Sequence, residues 1–402
     1  MNERLLPGVR VLDIGQRISG PYCAKVLANL GAEVIKVEPP QGDESRTIGP
    51  FPGDIPHPEK SGTFLALNAN KFGVTLDLDT DGGLSRLLEM AATVDLVIDN
   101  RPAGNTETPR PDYEALRHSN PEIILTSITP FGGRGPYAGY KTSDLVLFHM
   151  TGHANALLGP VKEPDNDPPI RAGGNQAELV AGLAGAAASV MALYRKRRSG
   201  VGCHINVSSY EAMVTQLISG LANAAYGQSP PSRSLASQEE ASIGGIVAAV
   251  GGVLPCSDGY VAISPREDAQ WDRWVEIMEH PDWASEERFA TREGRQKNFT
   301  ALWPLVGRWT RNQSKYDVAR RGQEHRIPCF PVNTVEDLLI DTHLEDREFF
   351  VSIDHPAAGP LKYPGVAYKL SNTTLPLTAR PAPLLGEHNG LILRGQSRST
   401  DG

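Results

Sequence analysis

The chain has 402 residues, enough for two or three domains that each bury a core, and its 47 acidic and 39 basic residues give a formal net charge of -8. That balance excludes a dedicated nucleic-acid binder, although it leaves room for a local basic patch that holds a phosphorylated small molecule. Its 40 glycines and 32 prolines make up about 18% of the chain against roughly 12% in ordinary proteins, which excludes a helical bundle or coiled coil.

The first hundred or so residues alternate strand and helix. Residues 9–15 (VRVLDIG) form a short apolar run of the kind that makes a buried parallel strand. Ser19 is placed to cap the next helix, Pro21 suits its first turn and Gly31 ends it. Strands follow at 32–38 (AEVIKVE), 74–78 (VTLDL), 94–100 (VDLVIDN) and 122–128 (EIILTSI), with helices at 82–92 and 113–119 between them. Repeated strand–helix–strand units predict an α/β fold: a parallel sheet with helices on both faces and ligands at the C-terminal ends of the strands.

Beyond residue 130 come Gly/Pro-rich loops at 132–139 and 159–174, which flank an amphipathic piece at 143–152. A long helix at 176–196, a strand at 203–209 and a helix at 210–225 follow, then a polar, proline-containing linker at 227–240. A strand at 259–264 and a helix at 270–278 begin a smaller α+β domain, and from residue 355 the chain reads as extended. The domains expected are therefore 1–225, 226–328 and a return segment 329–402 that completes the first. The apolar stretch 179–194 is bounded by Glu178 and the basic run RKRR at 195–198, and its small residues suit a packed helix better than a membrane span. With no secretory pattern at the N-terminus, a cytoplasmic protein is expected.

The chemistry legible in the residues is narrow. The junction from Gly15 to Gly20 can cradle a phosphate at a helix N-terminus, but it lacks the GxGxxG spacing of a dinucleotide site, and Glu38 reads equally as a ribose ligand or a surface carboxylate. His149 and His153 stand four apart without HExxH and with Gly152 between them, and Cys23, Cys203, Cys256 and Cys329 form no CxxC, so no metal site is expected. No GxSxG occurs. Glu178 opens a helix of small residues just after the glycine loop AGGNQAE, and two readings stay open for it: a carboxylate that complements the helix dipole or closes a capping box, or a carboxylate nucleophile.

Several strings in order resemble one family along nearly the whole chain: LPGVRVLDIGQRISGPYCAKVLANLGAEVIKVEPPQGD at the start, NANKFGVTLDL at 68–78, SITPFGGRGPY at 127–137, GLAGAAASVMALYRKRRSGVGCHINVSSYEA, and later SDGYVAIS, RFATREGRQKN, RIPCFPVNTVED, DHPAAG and APLLGEH. They resemble the class III CoA-transferases, the formyl-CoA and carnitine-CoA transferase family. The resemblance implies a Rossmann-like large domain and a smaller one, each subunit an open ring in an interlocked dimer. It implies acyl-CoA and a carboxylic acid as substrates, no permanently bound cofactor, and CoA near Gln16, Arg17, Lys36, Asn70, Lys71, Asn100 and Lys141. Lysine and arginine suit its phosphates, and asparagine and glutamine offer neutral hydrogen bonds.

The family nucleophile is an aspartate four residues before a helix glycine; counting back from Gly182, that position holds Glu178, one methylene longer. In the family mechanism the carboxylate forms a mixed anhydride with the acyl group and then an enzyme–CoA thioester, with glycine-loop N–H groups steadying the oxyanions; 172–174, 244–245 and 251–252 are the loops expected here. An arginine common in relatives corresponds to Thr108, with Arg110 two positions on. Three functions follow from the resemblance. The chain is a CoA-transferase using Glu178, or a degenerate subunit paired with an aspartate-bearing paralogue, or an acyl-CoA racemase, isomerase or lyase. The last is disfavoured because Ser143 stands where racemising relatives carry a histidine before Asp144. A bulky or polar acid is expected as substrate, with Tyr140, His149, His153, Asn175 and Gln176 near the acyl group or simply packed.

Overall fold

The computed structural model describes residues 5–101, 112–157, 160–161, 167–228, 234–235, 252–265, 267–373, 375 and 379–393. The chain divides into two compact units: a larger one of Met1–Thr151, Ala172–Gln216 and Thr342–Gly402, and a smaller one of Gly152–Arg171 and Leu217–Asp341.

In the larger unit six strands, β1 (Arg10–Asp13), β2 (Glu33–Glu38), β3 (Phe72–Thr75), β4 (Leu96–Asp99), β5 (Ile124–Thr129) and β6 (Cys203–Ser208), form one sheet in the order β3-β2-β1-β4-β5-β6. Every pairing in it is parallel. Side chains alternate across the sheet with period two. Val11, Val34, Ile98 and Ile124 face one way, with Leu27 of helix α1 (Ser19–Asn29) and Ala181 in their cluster. After α2 (Gly62–Asn68) come α3 (Asp81–Ala91) and α4 (Tyr113–Ser119). Leu12, Ile35, Val74, Val97 and Leu125 face the other way, with Leu87 of α3 and Leu116 of α4. Each such buried side chain stabilises the fold by about 1.5–3 kcal/mol over leaving it exposed.

Next along the chain come α5 (Asp144–Met150), α6 (Gln176–Ser199) and α7 (Ser209–Val214). Helix α6 has the length and apolarity to cross a membrane, but Ala181, Gly182, Gly185, Ala186, Ser189 and Leu193 make a buried face within this unit. A Cβ added at Gly185 would lie 2.9 Å from Ile128 Cδ1 and 3.3 Å from Cys23 Sγ, so small residues here let α6 settle against α1 and β5. The opposite face carries Leu183, Met191 and Tyr194, each more than half exposed.

Strand β7 (Phe350–His355) pairs antiparallel with β8 (Gly359–Pro364), and the chain then returns to the edge strand β3. There His388 Nδ1 accepts from the Gly73 N–H at 3.1 Å and Asn389 Oδ1 from the Thr75 N–H at 2.9 Å, closing an edge that would otherwise present free amides.

Two expectations shift. The strand expected at 74–78 lies at Phe72–Thr75, because Asp77 opens a turn whose carbonyl accepts from the Thr80 N–H at 3.2 Å. The helix expected at 210–225 is two, Ser209–Val214 and Ile218–Ala225. In the smaller unit the antiparallel strands Gly252–Cys256, Gly259–Ile263 and Cys329–Val332 set Leu254, Val261 and Ile263 in a core with Trp271, Trp274 and Phe289.

Candidate functional site

The strand order changes direction between β1 and β4, and in open parallel sheets ligands bind outside the strand ends at such a point. The loop after β1 carries Gln16 and Arg17, and the residue after β4 is Asn100. Asn100 joins the two: its Oδ1 accepts from the Gln16 N–H at 2.7 Å, and its Nδ2 donates to the Gln16 carbonyl and to Ser19 Oγ, each at 2.8 Å. It fits between two glycines. A Cβ at Gly15 would come 2.9 Å from Asn100 Oδ1, and one at Gly20 would come 3.0 Å from it.

Carboxylates hold the rest of the loop from below. Asp13 Oδ1 accepts from the Gly15 N–H at 3.1 Å, and Asp43 Oδ1 accepts from the Arg17 N–H at 3.0 Å. Arg17 thereby sits at φ +64°, a conformation uncommon outside glycine, with its side chain exposed and paired to Glu44 at 3.1 Å. The amides of Gly15, Gln16 and Arg17 are thus all engaged by side chains, and the phosphate cradle expected at this junction is not made from them. Ser19 does not cap α1 either: the N-cap is Ile18, and Ser19 Oγ is bound by Asn100.

Lys36 and Lys71 lie under this loop with no exposed side-chain surface. Lys36 Nζ donates to the Gly15 carbonyl and to Asp43 Oδ2 at 2.6 Å. Lys71 Nζ donates to Asp13 Oδ2 and the Pro21 carbonyl, both at 2.8 Å, and to Asn68 Oδ1 at 2.9 Å. Burial disfavours the charge on Lys36, but Asp13, Asp43 and Glu38 outweigh it and raise the ammonium above its ordinary range. Burial opposes ionisation of Asp43 too, yet Lys36 and the Ser45 hydrogen bonds bring its carboxyl down to about 2. At Lys71 burial wins over Asp13 and lowers the ammonium to about 8. Asn70 is also buried: its Nδ2 donates to Asn29 Oδ1 at 2.9 Å and its Oδ1 accepts from the Arg380 N–H at 2.8 Å. Of the residues expected around CoA, Gln16 and Asn100 are half-buried, Arg17 and Lys141 are exposed, and Lys36, Asn70 and Lys71 are enclosed.

Glu178 reaches the same place from the other side of α1. A Cβ at Gly182 would lie 2.7 Å from the Ser19 carbonyl and 3.0 Å from Tyr22 Cδ1, so α6 touches the start of α1 there, and Glu178 stands one turn earlier. Its side chain is half-buried. Burial pushes it above the ordinary glutamate range; the Arg17 guanidinium pulls it down, and the Asp144 carboxylate adds to the rise. Among the described residues nothing hydrogen-bonds that carboxyl, and Asn175, the N-cap of α6, makes no side-chain cap, so the capping-box reading is not met. Asp144 Oδ1 instead accepts from the Ala177 N–H at 2.8 Å and from the Glu178 N–H at 3.4 Å.

Gly174 (φ +78°) lies in the loop before Glu178, where Gln176 Nε2 donates to the Gly173 carbonyl at 2.9 Å. Thr108, Arg110 and the glycines at 244, 245 and 251 lie outside the described residues. His149 Nδ1 bonds the Leu145 carbonyl of its own helix at 2.8 Å. Tyr140 is exposed and stacks obliquely on Tyr137, ring centroids 5.2 Å apart. Sequence reasoning missed Asp13 and Asp43, and it named Asp144 only as the neighbour of Ser143, not as a partner of Glu178. Asp13 does leave a signal, an acid inside the apolar run VRVLDIG with a matching Lys36 in AEVIKVE, whereas Asp43 and Asp144 sit in segments where an acid is ordinary.

Comparison with known proteins bears on the whole chain. Residues 6–389 match the family described as CoA-transferase family III. The chain is 30% identical over 392 residues to the succinate–glutarate CoA-transferase of Agrobacterium fabrum, covering 96% of this chain and 94% of that protein. It is 32% identical over 403 residues to the succinyl-CoA:(R)-benzylsuccinate CoA-transferase subunit BbsE of Thauera aromatica, covering 96% and 92%. Among solved structures, a CAIB/BAIF family protein from Brucella suis superposes with a TM-score of 0.85 at 30% identity, covering 98% of this chain and 100% of that one.

Proposed function

The chain belongs to CoA-transferase family III, and from that premise we propose that it moves CoA from an acyl-CoA donor to a carboxylic acid acceptor with Glu178 as the covalent carrier. The observation that carries this reading is the half-buried Glu178 carboxyl, free of hydrogen bonds among the described residues and set beside Arg17 at the sheet's switch point. A raised carboxyl is a stronger nucleophile once ionised, and Arg17 favours the ionised form.

The bond changes balance as follows. A Glu178 carboxylate oxygen attacks the thioester carbonyl, the C–S bond breaks, and CoA leaves as thiolate from a mixed anhydride. The thiolate attacks the Glu178 carbonyl carbon, which releases the donor acid and leaves a glutamyl–CoA thioester. The acceptor carboxylate attacks that thioester and expels the thiolate, which then takes the acceptor acyl group and frees Glu178. No oxidant, metal or further cofactor enters. N–H groups of the 172–174 loop are our candidates for steadying the oxyanions.

We assign direct CoA contact to Gln16, Arg17 and Lys141, whose side chains have open surface, to Asn100, Lys36 and Lys71 the task of holding the loop after β1, and to Asn70 that of tying Asn29 to Arg380. Relatives named for succinyl-CoA favour a small dicarboxylate as one partner acid. The large unit acts in this reading as a Rossmann-like CoA domain in an interlocked homodimer, for which the exposed apolar residues Leu183, Met191 and Tyr194 on α6 supply a surface.

The test is to incubate the protein with succinyl-CoA, quench with hydroxylamine or borohydride, and map the modified peptide. Modification at Glu178 is expected; full turnover with an unmodified Glu178 would overturn the assignment. One second reading has a specific observation behind it, since BbsE is named as a subunit: this chain then pairs with an aspartate-bearing paralogue, and its activity alone falls far below that of the reconstituted pair.

A further inference from the structure

We propose that Asp144 is a positioning residue for Glu178, holding the first turn of α6 from a different helix so that the Glu178 carboxyl is aimed at the reacting carbonyl. The inference rests on Glu178 being the nucleophile and deepens that reading. Asp144 is the first residue of α5, is buried, and lies 33 residues before Ala177, whose N–H its Oδ1 binds at 2.8 Å, with the Glu178 N–H on the same oxygen at 3.4 Å.

A helix start leaves free N–H groups that a neighbouring side chain normally takes up. Helix α5 follows that rule, with Ser143 Oγ accepting from the Val146 N–H at 3.5 Å, whereas α6 does not: Asn175 stands at its N-cap and makes no such bond. Stability alone would be served by a local cap. The remote one adds a tie between the residue that carries Glu178 and the segment that begins at the exposed Lys141, three residues before Asp144. A CoA held by Lys141 and a nucleophile held through Asp144 then share one short piece of chain. Asp144 also places a second carboxylate near Glu178, opposite in effect to Arg17; among the described residues these are the two charged groups that act on it.

Two substitutions separate the parts of this role. Asp144→Ala removes acceptor and charge together, while Asp144→Asn keeps an oxygen acceptor and removes the charge. Each is compared with wild type and Glu178→Gln for the rate of hydroxylamine trapping at residue 178 from succinyl-CoA, for kcat and KM, for the pH profile of kcat, and for melting temperature. Asp144→Ala is expected to slow trapping and kcat about 100-fold with KM for acyl-CoA within about twofold, as for a nucleophile displaced by about 1 Å. Asp144→Asn should keep most of the rate and move the acidic limb of the kcat profile to lower pH, because a like charge has gone.

If Asp144→Ala is trapped at Glu178 as fast as wild type, the proposal is overturned while Glu178 keeps its role. Should Asp144→Ala fail to fold, Asp144→Asn decides: a wild-type rate with an unmoved acidic limb overturns the proposal. Wild-type turnover with no label at Glu178, together with an active Glu178→Gln, overturns both readings at once.

Discussion

Asn100 grips Gln16 by both of its backbone polar groups, accepting from the N–H at 2.7 Å and donating to the carbonyl at 2.8 Å. One side chain from the end of β4 thereby fixes the peptide that β1 presents at the switch point.

Replacing Asn100 by alanine strands the Gln16 amide and the Ser19 hydroxyl. Unfolding in urea should show a loss of about 1–3 kcal/mol, the range for leaving buried polar groups unmet. KM for acyl-CoA should rise with it, since Gln16 and Arg17 lose their support. An unchanged urea midpoint would show that the grip contributes nothing.

Lys36 gives the sharpest contrast between a ligand and a support. Lys36→Met leaves Asp43 buried without its partner, and removing one member of such a pair costs about 3–5 kcal/mol. A lysine that merely touched CoA would instead raise KM and leave the melting temperature alone. The same pair sets an acid limit. Asp43 is held at about 2, below an unfolded value of 3.8, so the stability it contributes is present above pH 3.8 and disappears as pH falls towards 2. Titrating wild type against Asp43→Asn from pH 5 to 2 should show their difference closing.

Glu178→Gln should reduce CoA transfer by at least about a thousandfold, as loss of a covalent nucleophile does, with the fold intact. It should also raise the melting temperature at pH 7. The sign follows from the raised carboxyl: above the ordinary glutamate value of 4.5 the folded state holds its proton more tightly than the unfolded one, so ionising Glu178 costs stability as pH rises. Below that range wild type and variant should melt alike. A variant less stable at pH 7 would mean that the Arg17 attraction outweighs burial.

The outer face of α6 bears on assembly. Light scattering of the purified protein should give twice the chain mass, and Met191→Arg, which sets a charge among Leu183 and Tyr194, should shift it towards one chain. A wild-type protein that runs as a single chain at all concentrations would remove the dimer.

Much of this arrangement is legible in the residues. The runs VRVLDIG, AEVIKVE, VDLVIDN and EIILTSI become β1, β2, β4 and β5 because a strand buried on both faces needs unbroken apolar residues, and little else fits so short a stretch. Helix α6 starts at Gln176, as its composition indicates. What stays hidden is long-range bonding. Nothing local in SDLVLF marks Asp144 as the acceptor for amides 33 residues away. Nor does a lysine in a strand announce whether its ammonium meets a ligand or, as with Lys36, a carboxylate below the loop. Burial decides between those, and burial is a property of the assembled sheet.

The contact between Gly182 and the Ser19 carbonyl has a consequence for how far Glu178 reaches. Because a Cβ at 182 would stand 2.7 Å from that oxygen, only a glycine there lets α6 lie this close to α1. The length of the side chain at 178 is then the adjustable quantity: a methylene alters the position of the carboxyl by about 1 Å, the scale on which reactivity is decided. Helix spacing acts as the fixed arm of a caliper and the acid as its sliding jaw, so in the proposed reaction a glutamate at 178 calls for an acyl carbonyl seated correspondingly farther from α6.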